Sequence, residues 1–278
     1  MDSTTIDQPG RDALLKLLRA PHTQNIIVIT GAGISVASGI TPFRRAANAI
    51  WETSITEMGT YSYFRAHPVE SWRWYLDRFA KTTSAAPNAG HRALVDLAAW
   101  AEGEGRTLTL ITQNVDGLHI AAGSKTIEVH GSAQLVRCAS RARTCPNAEP
   151  GGTLPLSDFD LAPLMASGDA QDLPRCPVCG DLIRPHVLWF DESYSQHQSY
   201  RYDEAEAAQK RGDLFLFVGT SFAVGITASA LYHAEERGAP VWAIDPSPMD
   251  DDEDLKEVSW VGEASEVALP ALVSALRG

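Results

Sequence analysis

No stretch of the 278 residues approaches the roughly 20 consecutive apolar residues of a membrane-spanning helix, so no partner membrane is expected. Positive charge is scarce as well. Lys and Arg number 23 against 35 acidic residues, a net charge of −12, and phosphate backbones need clustered cations, so no nucleic acid is expected. Much of the acidic excess sits in one run, DDDEDLKE at 250–257, which reads as a solvated loop. The first 25 residues lack a signal-peptide core, and a cytoplasmic protein is expected. Cysteine is limited to four residues. In a reducing compartment they suit metal ligation or buried thiols better than a disulfide framework.

A further absence narrows the function. GAGISV at 31–36 begins like a dinucleotide fingerprint, but Val36 stands where the third glycine belongs. No acidic residue ends a second strand about 20 residues on. A hydride-transfer dehydrogenase is therefore disfavoured. Two readings of the glycines stay open, a tight strand-to-helix turn or room for a phosphate.

What is present is an alternation. NIIVIT, TLTLIT (107–112), LFLFVGT (214–220) and VWAID (241–245) are unbroken apolar runs, the mark of parallel strands covered on both faces. Helical patterns run at 11–20, 89–100 and 226–238. The expectation is an α/β fold with a parallel sheet. Residues 41–86, rich in aromatics, and 132–186, holding all four cysteines, break the rhythm and read as insertions forming a smaller lobe. The large domain would then comprise 1–40, 87–131 and 187–278.

Polar motifs follow the strands: TGAGIS, TQNVDGLH, GTSF and IDPS. Ligands of open parallel sheets bind beyond the carboxyl ends of the strands, so four such motifs on one edge point to a cofactor cleft. The amides and carboxylate of Gln113, Asn114 and Asp116 suit ribose hydroxyls and a carboxamide, or else an Asx-rich turn that caps a helix. His130, in IEVHGS, is placed for proton transfer or is structural. Cys176 and Cys179 form a CPVCG knuckle suited to zinc. Cys138 and Cys145 are separated by six residues where two are usual, so Cys145 is either the fourth ligand or a bystander.

These motifs in this order, with FR, RPHVLWFDE and GEASEVALP, resemble the sirtuins, NAD-dependent protein deacylases, over about residues 20–273. The resemblance implies a Rossmann-like NAD-binding domain with a smaller inserted zinc-binding and helical domain. Its cofactors would be NAD and a structural zinc on Cys138, Cys145, Cys176 and Cys179. Gly31, Ala32, Gly33 and Ser35 would bind the diphosphate side. Phe43 and Arg44 would sit in the mobile cofactor loop. Gln113, Asn114, Val115 and Asp116 would hold the nicotinamide half, and Gly219, Thr220, Ser221, Asp245 and Ala264 the adenosine half. His130 would be the general base. Leu188 and Phe190 would line the acyl-lysine channel, with the peptide adding as a strand between WFDE and SFAV. FDE replaces the commoner FGE of the family, which sets Asp191 beside that groove.

Partners would be acylated-lysine proteins, and a monomer or weak oligomer is expected. Tyr75 and Arg78, three apart in SWRWYLDRF, share a helix face. They are a surface pair, or they match the tyrosine and arginine by which the desuccinylase and demalonylase subgroup binds a distal carboxylate. Ala46 resembles the small residue that widens that subgroup's pocket. Two other functions compete: NAD hydrolysis or ADP-ribosyl transfer on the same fold, and a nucleotide-sensing module without turnover.

Overall fold

The computed structural model describes residues 7–41, 56–80, 82, 84–140, 144–148, 151–249 and 252–278. Phe43, Arg44 and Ala46 lie outside the described residues.

Six parallel strands form the larger sheet: β1 (Asn25–Thr30), β2 (Thr107–Thr112), β3 (Thr126–Glu128), β7 (Leu214–Val218), β8 (Val241–Ile244) and β9 (Val258–Val261). Between β3 and β7 in the chain, β4 (Gly131–Cys138), β5 (Leu154–Pro155) and β6 (Ile183–Val187) build a separate antiparallel sheet in the order β5-β4-β6. The parallel sheet has the order β3-β2-β1-β7-β8-β9. Strand order therefore reverses at β1 and β7, and the loops leaving those two neighbours diverge to open a crevice.

The unbroken apolar runs have a direct physical reason. Along β1, Ile26 and Val28 face one core while Ile27 and Ile29 face another, and β7 divides in the same way. On the first face lie the helices Gln8–Arg19, Ala89–Gly103 and Ser265–Arg277, through residues such as Leu14, Leu97 and Leu272. The opposite face is covered by Tyr202–Gln209 and Gly225–Arg237, through Ala205, Ile226 and Ala230. A strand covered on both sides has no polar face to show, so its sequence carries no alternation.

A third core belongs to the smaller sheet. Phe64, Trp72 and Tyr75 from the helices Tyr61–Ala66 and Pro68–Phe79 pack with Trp189, Ile183, Val136 and three of the cysteines. Trp72 donates its indole N–H to the Ile183 carbonyl at 3.0 Å. At its rim, Arg137 of β4 and Arg184 of β6 both bind the buried carboxylate of Glu192, at 3.0 and 2.5 Å. Those interactions outweigh burial and hold that carboxyl below the usual range.

Candidate active site and metal centre

The loops after β1 and β7 cross at backbone distance. Gly31 N–H donates to the Val218 carbonyl at 3.0 Å, and Gly33 N–H to the Gly219 carbonyl at 2.8 Å. A Cβ on Gly33 would stand 2.5 Å from Gly219 Cα, and one on Gly31 would stand 2.7 Å from Gly219 O. Gly219 itself has φ +58°, in the left-handed region that other residues rarely adopt. Close approach of two loops thus accounts for all three glycines. The amides of Gly31 and Gly33 are committed to the neighbouring loop rather than held open toward an anion.

The loop after β2 interlocks with this crossing through side chains. Asn114 donates to the Gly31 carbonyl at 3.0 Å. Ser35 donates to Asp116 at 2.7 Å, and the other Asp116 oxygen accepts from Leu118 N–H at 3.0 Å. Gln113 donates to Thr220 Oγ1 at 3.0 Å, reaching across β1 to the β7 loop. Ser35, Asn114, Asp116 and Thr220 are all buried. The same Asp116 carboxylate that could cap a helix therefore also closes a polar network at the crevice. Val115, between them, turns the other way and packs into the core of the smaller sheet.

Beneath this network Thr30 Oγ1 lies 2.8 Å from Thr112 Oγ1 and 2.9 Å from His119 Nε2. At the end of β3, burial and then the neighbouring Asp116 charge raise the Glu128 carboxyl to about 7.

His130 stands at the same corner. Its Nδ1 lies 2.9 Å from the Gln113 carbonyl oxygen, which can only accept, so Nδ1 carries the proton. Nε2 is then the basic nitrogen, and the Tyr194 hydroxyl lies 3.1 Å from it. Burial lowers the imidazole to about 4, against a smaller upward effect of the Gln113 carbonyl. At neutral pH the ring is an uncharged base.

The remaining expected residues are spread around the crevice. Asp245 is buried at the end of β8 and accepts from Ser247 N–H at 2.9 Å. Ala264 is the N-cap of Ser265–Arg277, and Ser221 is exposed in the β7 loop. Leu188 N–H donates to the His130 carbonyl at 2.8 Å, which ties the segment after β6 to the candidate base. Phe190 is exposed and its N–H donates to Gly59 O.

Asp191 also has a structural partner. Its carboxylate accepts from Tyr61 N–H at 2.6 Å and from Ser62 N–H at 3.0 Å, capping the helix Tyr61–Ala66. Unpaired N–H groups at a helix start attract a carboxylate.

Tyr75 and Arg78 lie on the helix Pro68–Phe79. Tyr75 is buried, stacked on Phe79 at 5.4 Å, and its hydroxyl accepts from the Trp189 indole. Arg78 is half-buried, with its guanidinium 5.8 Å from the Trp74 ring centre, and burial lowers its pKa.

The four cysteines converge from three places: the end of β4, the loop after it, and the CPVCG turn. Their sulfurs all lie within 4.8 Å of one another, with Cys138–Cys179 at 3.4 Å and Cys145–Cys176 at 3.6 Å. Four thiolates about 2.3 Å from one zinc would sit about 3.8 Å apart, so the cluster fits a tetrahedral ion with no open position. Cys145 is 4% exposed and inside the cluster, which removes the bystander reading. Burial pushes the Cys138 and Cys145 thiols up. Burial acts the same way on Cys176, but the N–H groups of Cys179 and Val178 prevail and hold it at about 6.

Tyr194 and the Arg137–Glu192–Arg184 group were not among the residues expected from sequence. Tyr194 lies two residues past the WFDE motif, with no spacing to mark it.

Comparison with known proteins agrees with this arrangement. The family model described as Sir2 family matches residues 31–225. The NAD-dependent protein deacylase 1 of Pseudomonas aeruginosa is 36% identical over 263 residues, covering 94% of this chain and 97% of its own. The NAD-dependent protein deacylase of Ralstonia nicotianae is 34% identical, covering 90% and 92%. Among solved structures, a Sir2 homolog–NAD complex superposes with a TM-score of 0.74 at 32% identity, covering 96% of this chain and 93% of that one.

Proposed function

The chain belongs to the Sir2 family, and from that premise we propose that it removes acyl groups from protein lysine with NAD as co-substrate. The products would be free lysine, nicotinamide and O-acyl-ADP-ribose. The observation that carries this reading is the state of His130: Nδ1 is held by Gln113, and Nε2 is basic beside the crevice.

The residues present fit the dinucleotide. Ser35, Asn114 and Asp116 supply a buried polar wall at the crossing of the β1 and β7 loops, whose close approach Gly31, Gly33 and Gly219 permit. In this proposal Gly31, Ala32, Gly33 and Ser35 flank the diphosphate, and Phe43 and Arg44, which lie outside the described residues, are assigned to the cofactor by the resemblance alone. Gln113, Asn114 and Asp116 orient the nicotinamide ribose, with Val115 contributing its backbone alone, while Gly219, Thr220, Ser221, Asp245 and Ala264 hold the adenosine half. NAD supplies the ribose carbon from which nicotinamide departs and to which the acyl oxygen becomes attached. His130 then takes a proton from a ribose hydroxyl at Nε2. Leu188 and Phe190 guide the acyl-lysine, and the cysteine-bound zinc keeps the lobe in shape without touching substrate.

The finer part of the proposal is the acyl group, for which we infer a preference for succinyl or malonyl over acetyl. It is supported by Arg78, a half-buried cation on the same helix as Tyr75, since guanidinium pairs with carboxylate through two charge-assisted hydrogen bonds. The test is to incubate the protein with NAD and acyl-lysine peptides and follow nicotinamide and O-acyl-ADP-ribose by mass spectrometry. Succinyl- or malonyl-lysine should be the better substrate in kcat/KM. Arg78→Met should raise KM for these acidic groups by about 10- to 100-fold, the worth of a hydrogen bond to a charged group. Acetyl turnover should barely change. A wild-type preference for acetyl-lysine would remove the acyl assignment, and absence of both products with every peptide would remove the deacylase reading.

A further inference from the structure

The hydroxyl of Tyr194 meets two groups. Ile226 N–H, at the start of the helix Gly225–Arg237, donates to it at 3.2 Å. His130 Nε2 lies 3.1 Å away on its other side. Since the imidazole proton is on Nδ1, Nε2 is an acceptor and the tyrosine O–H is the donor. The tyrosine therefore accepts from a helix start and donates to the lone pair that a base needs.

Its ring has little freedom to leave. It stacks on Tyr202 at 4.7 Å and 17°, and on His130 at 5.7 Å and 22°. The short helical turn Tyr194–Gln196 is fixed at its start by Gln196 Oε1, which accepts from Ser193 N–H at 3.0 Å. One residue earlier, Glu192 is clamped between Arg137 and Arg184. The clamp, the turn and the stack all hold one phenol oxygen at one distance from one nitrogen.

We propose that Tyr194 is a positioning residue for His130: with the tautomer set by the Gln113 carbonyl, its hydroxyl aims the basic nitrogen at the crevice and sets how readily it takes a proton. The proposal rests on the deacylase reading only for its kinetic consequence. When a ribose hydroxyl gives its proton to Nε2, the Tyr194 O–H must turn away. The new Nε2–H can then donate to the same phenol oxygen, which goes from donor to acceptor without moving the ring.

The other titratable groups of this corner are Asp116 in the β2 loop, Glu128 on β3 and Tyr202 behind Tyr194. Among the described residues, the hydrogen bonds of the imidazole go to Gln113 and Tyr194 and to none of these. Burial raises the Tyr194 phenol to about 12, so the hydroxyl keeps its proton throughout the working range.

Tyr194→Phe keeps the stacked ring and removes the hydroxyl alone. Losing a donor that favours the neutral imidazole should raise the apparent pKa of the acidic limb of kcat/KM by roughly 0.5–1 pH unit, the equivalent of one net hydrogen bond. The same loss of aim should lower kcat about 3- to 10-fold with KM for NAD little changed. A second readout needs no turnover. In 15N-detected spectra of the ligand-free protein, the His130 Nε2 signal should move toward that of an unbonded ring nitrogen in Tyr194→Phe. A spectrum and an acidic limb both unchanged from wild type would overturn the role of Tyr194. A wild-type protein that turned over no acyl-lysine would sink the deacylase reading, and the spectrum alone would then decide on Tyr194.

Discussion

β1 and β7 bury aliphatic and aromatic side chains on both of their faces, whereas β4 and β6 of the smaller sheet, eight and five residues long, enclose Arg137, Arg184 and His186. The parallel sheet needs only that apolar surface leave water, and each buried Leu, Ile or Phe contributes about 1.5–3 kcal/mol whatever the pH or metal supply. The smaller lobe has its own apolar core but adds other fastenings. It is fastened by a cysteine cluster, an arginine–carboxylate–arginine clamp and aromatic packing around Trp189. Two of those three fastenings depend on conditions. The segment that carries Leu188, Phe190 and Tyr194 runs between the two regions, so the candidate site inherits the weaker one's sensitivities.

The sharpest way to break the comparison is to remove the metal. Structural zinc contributes on the order of 10 kcal/mol in zinc-finger peptides. Cys176→Ser, or a strong chelator, should therefore unfold the lobe, read by the fluorescence of Trp72 and Trp189, while far-UV circular dichroism keeps most of the sheet signal. Elemental analysis of the folded wild type should give one zinc per chain. A chelated protein with unchanged fluorescence would mean that the lobe is held as the sheet is.

Next comes the clamp. Glu192→Gln leaves two buried arginines without their carboxylate and should cost about 3–5 kcal/mol in denaturant unfolding, the usual penalty of breaking a buried pair. The folded carboxyl is held below its unfolded value, so its contribution is complete above about pH 4.3 and is lost as pH falls through the folded value. The wild type and the Glu192→Gln variant should converge in stability at that acidic end. A constant gap down to the lowest pH would show that the charge is not what matters.

The smallest effect is expected in the sheet domain. Asn88 caps Ala89–Gly103 through Gly90 N–H at 2.9 Å and also donates to Ile34 O at 2.7 Å, in the turn beside the crevice. Asn88→Ala should cost about 1 kcal/mol, a single lost cap, with no dependence on zinc. A loss several times larger, or one abolished by chelation, would tie the two regions together more tightly than the packing suggests.

The sequence revealed most where one physical cause dominates. β1, β2, β7 and β8 were legible as apolar runs because both faces are covered. β3, with only three paired residues, is too short to carry such a run, and β9 went unseen because an edge strand with exposed Ser259 carries none either. The cysteine spacing understated the cluster, since a six-residue gap says nothing of a loop that folds back. The glycines were legible as necessary, but their cause is a neighbouring loop distant in sequence. Asp191 could be read as a charge near the groove, whereas its target, a helix start 130 residues earlier in the chain, could not. Tyr194 had no signal at all, because its meaning lies in a distance to His130 that only the fold creates.

The central claim is that His130 acts as a base after the co-substrate has docked on the loops of β1, β2 and β7. It is tested most directly by His130→Ala, with NAD affinity from calorimetry and O-acyl-ADP-ribose formation from mass spectrometry measured on the same preparation. The account predicts NAD binding within a few-fold of wild type and a turnover lower by about 100- to 10,000-fold, the usual worth of a general base. Near-normal turnover in that variant would contradict it.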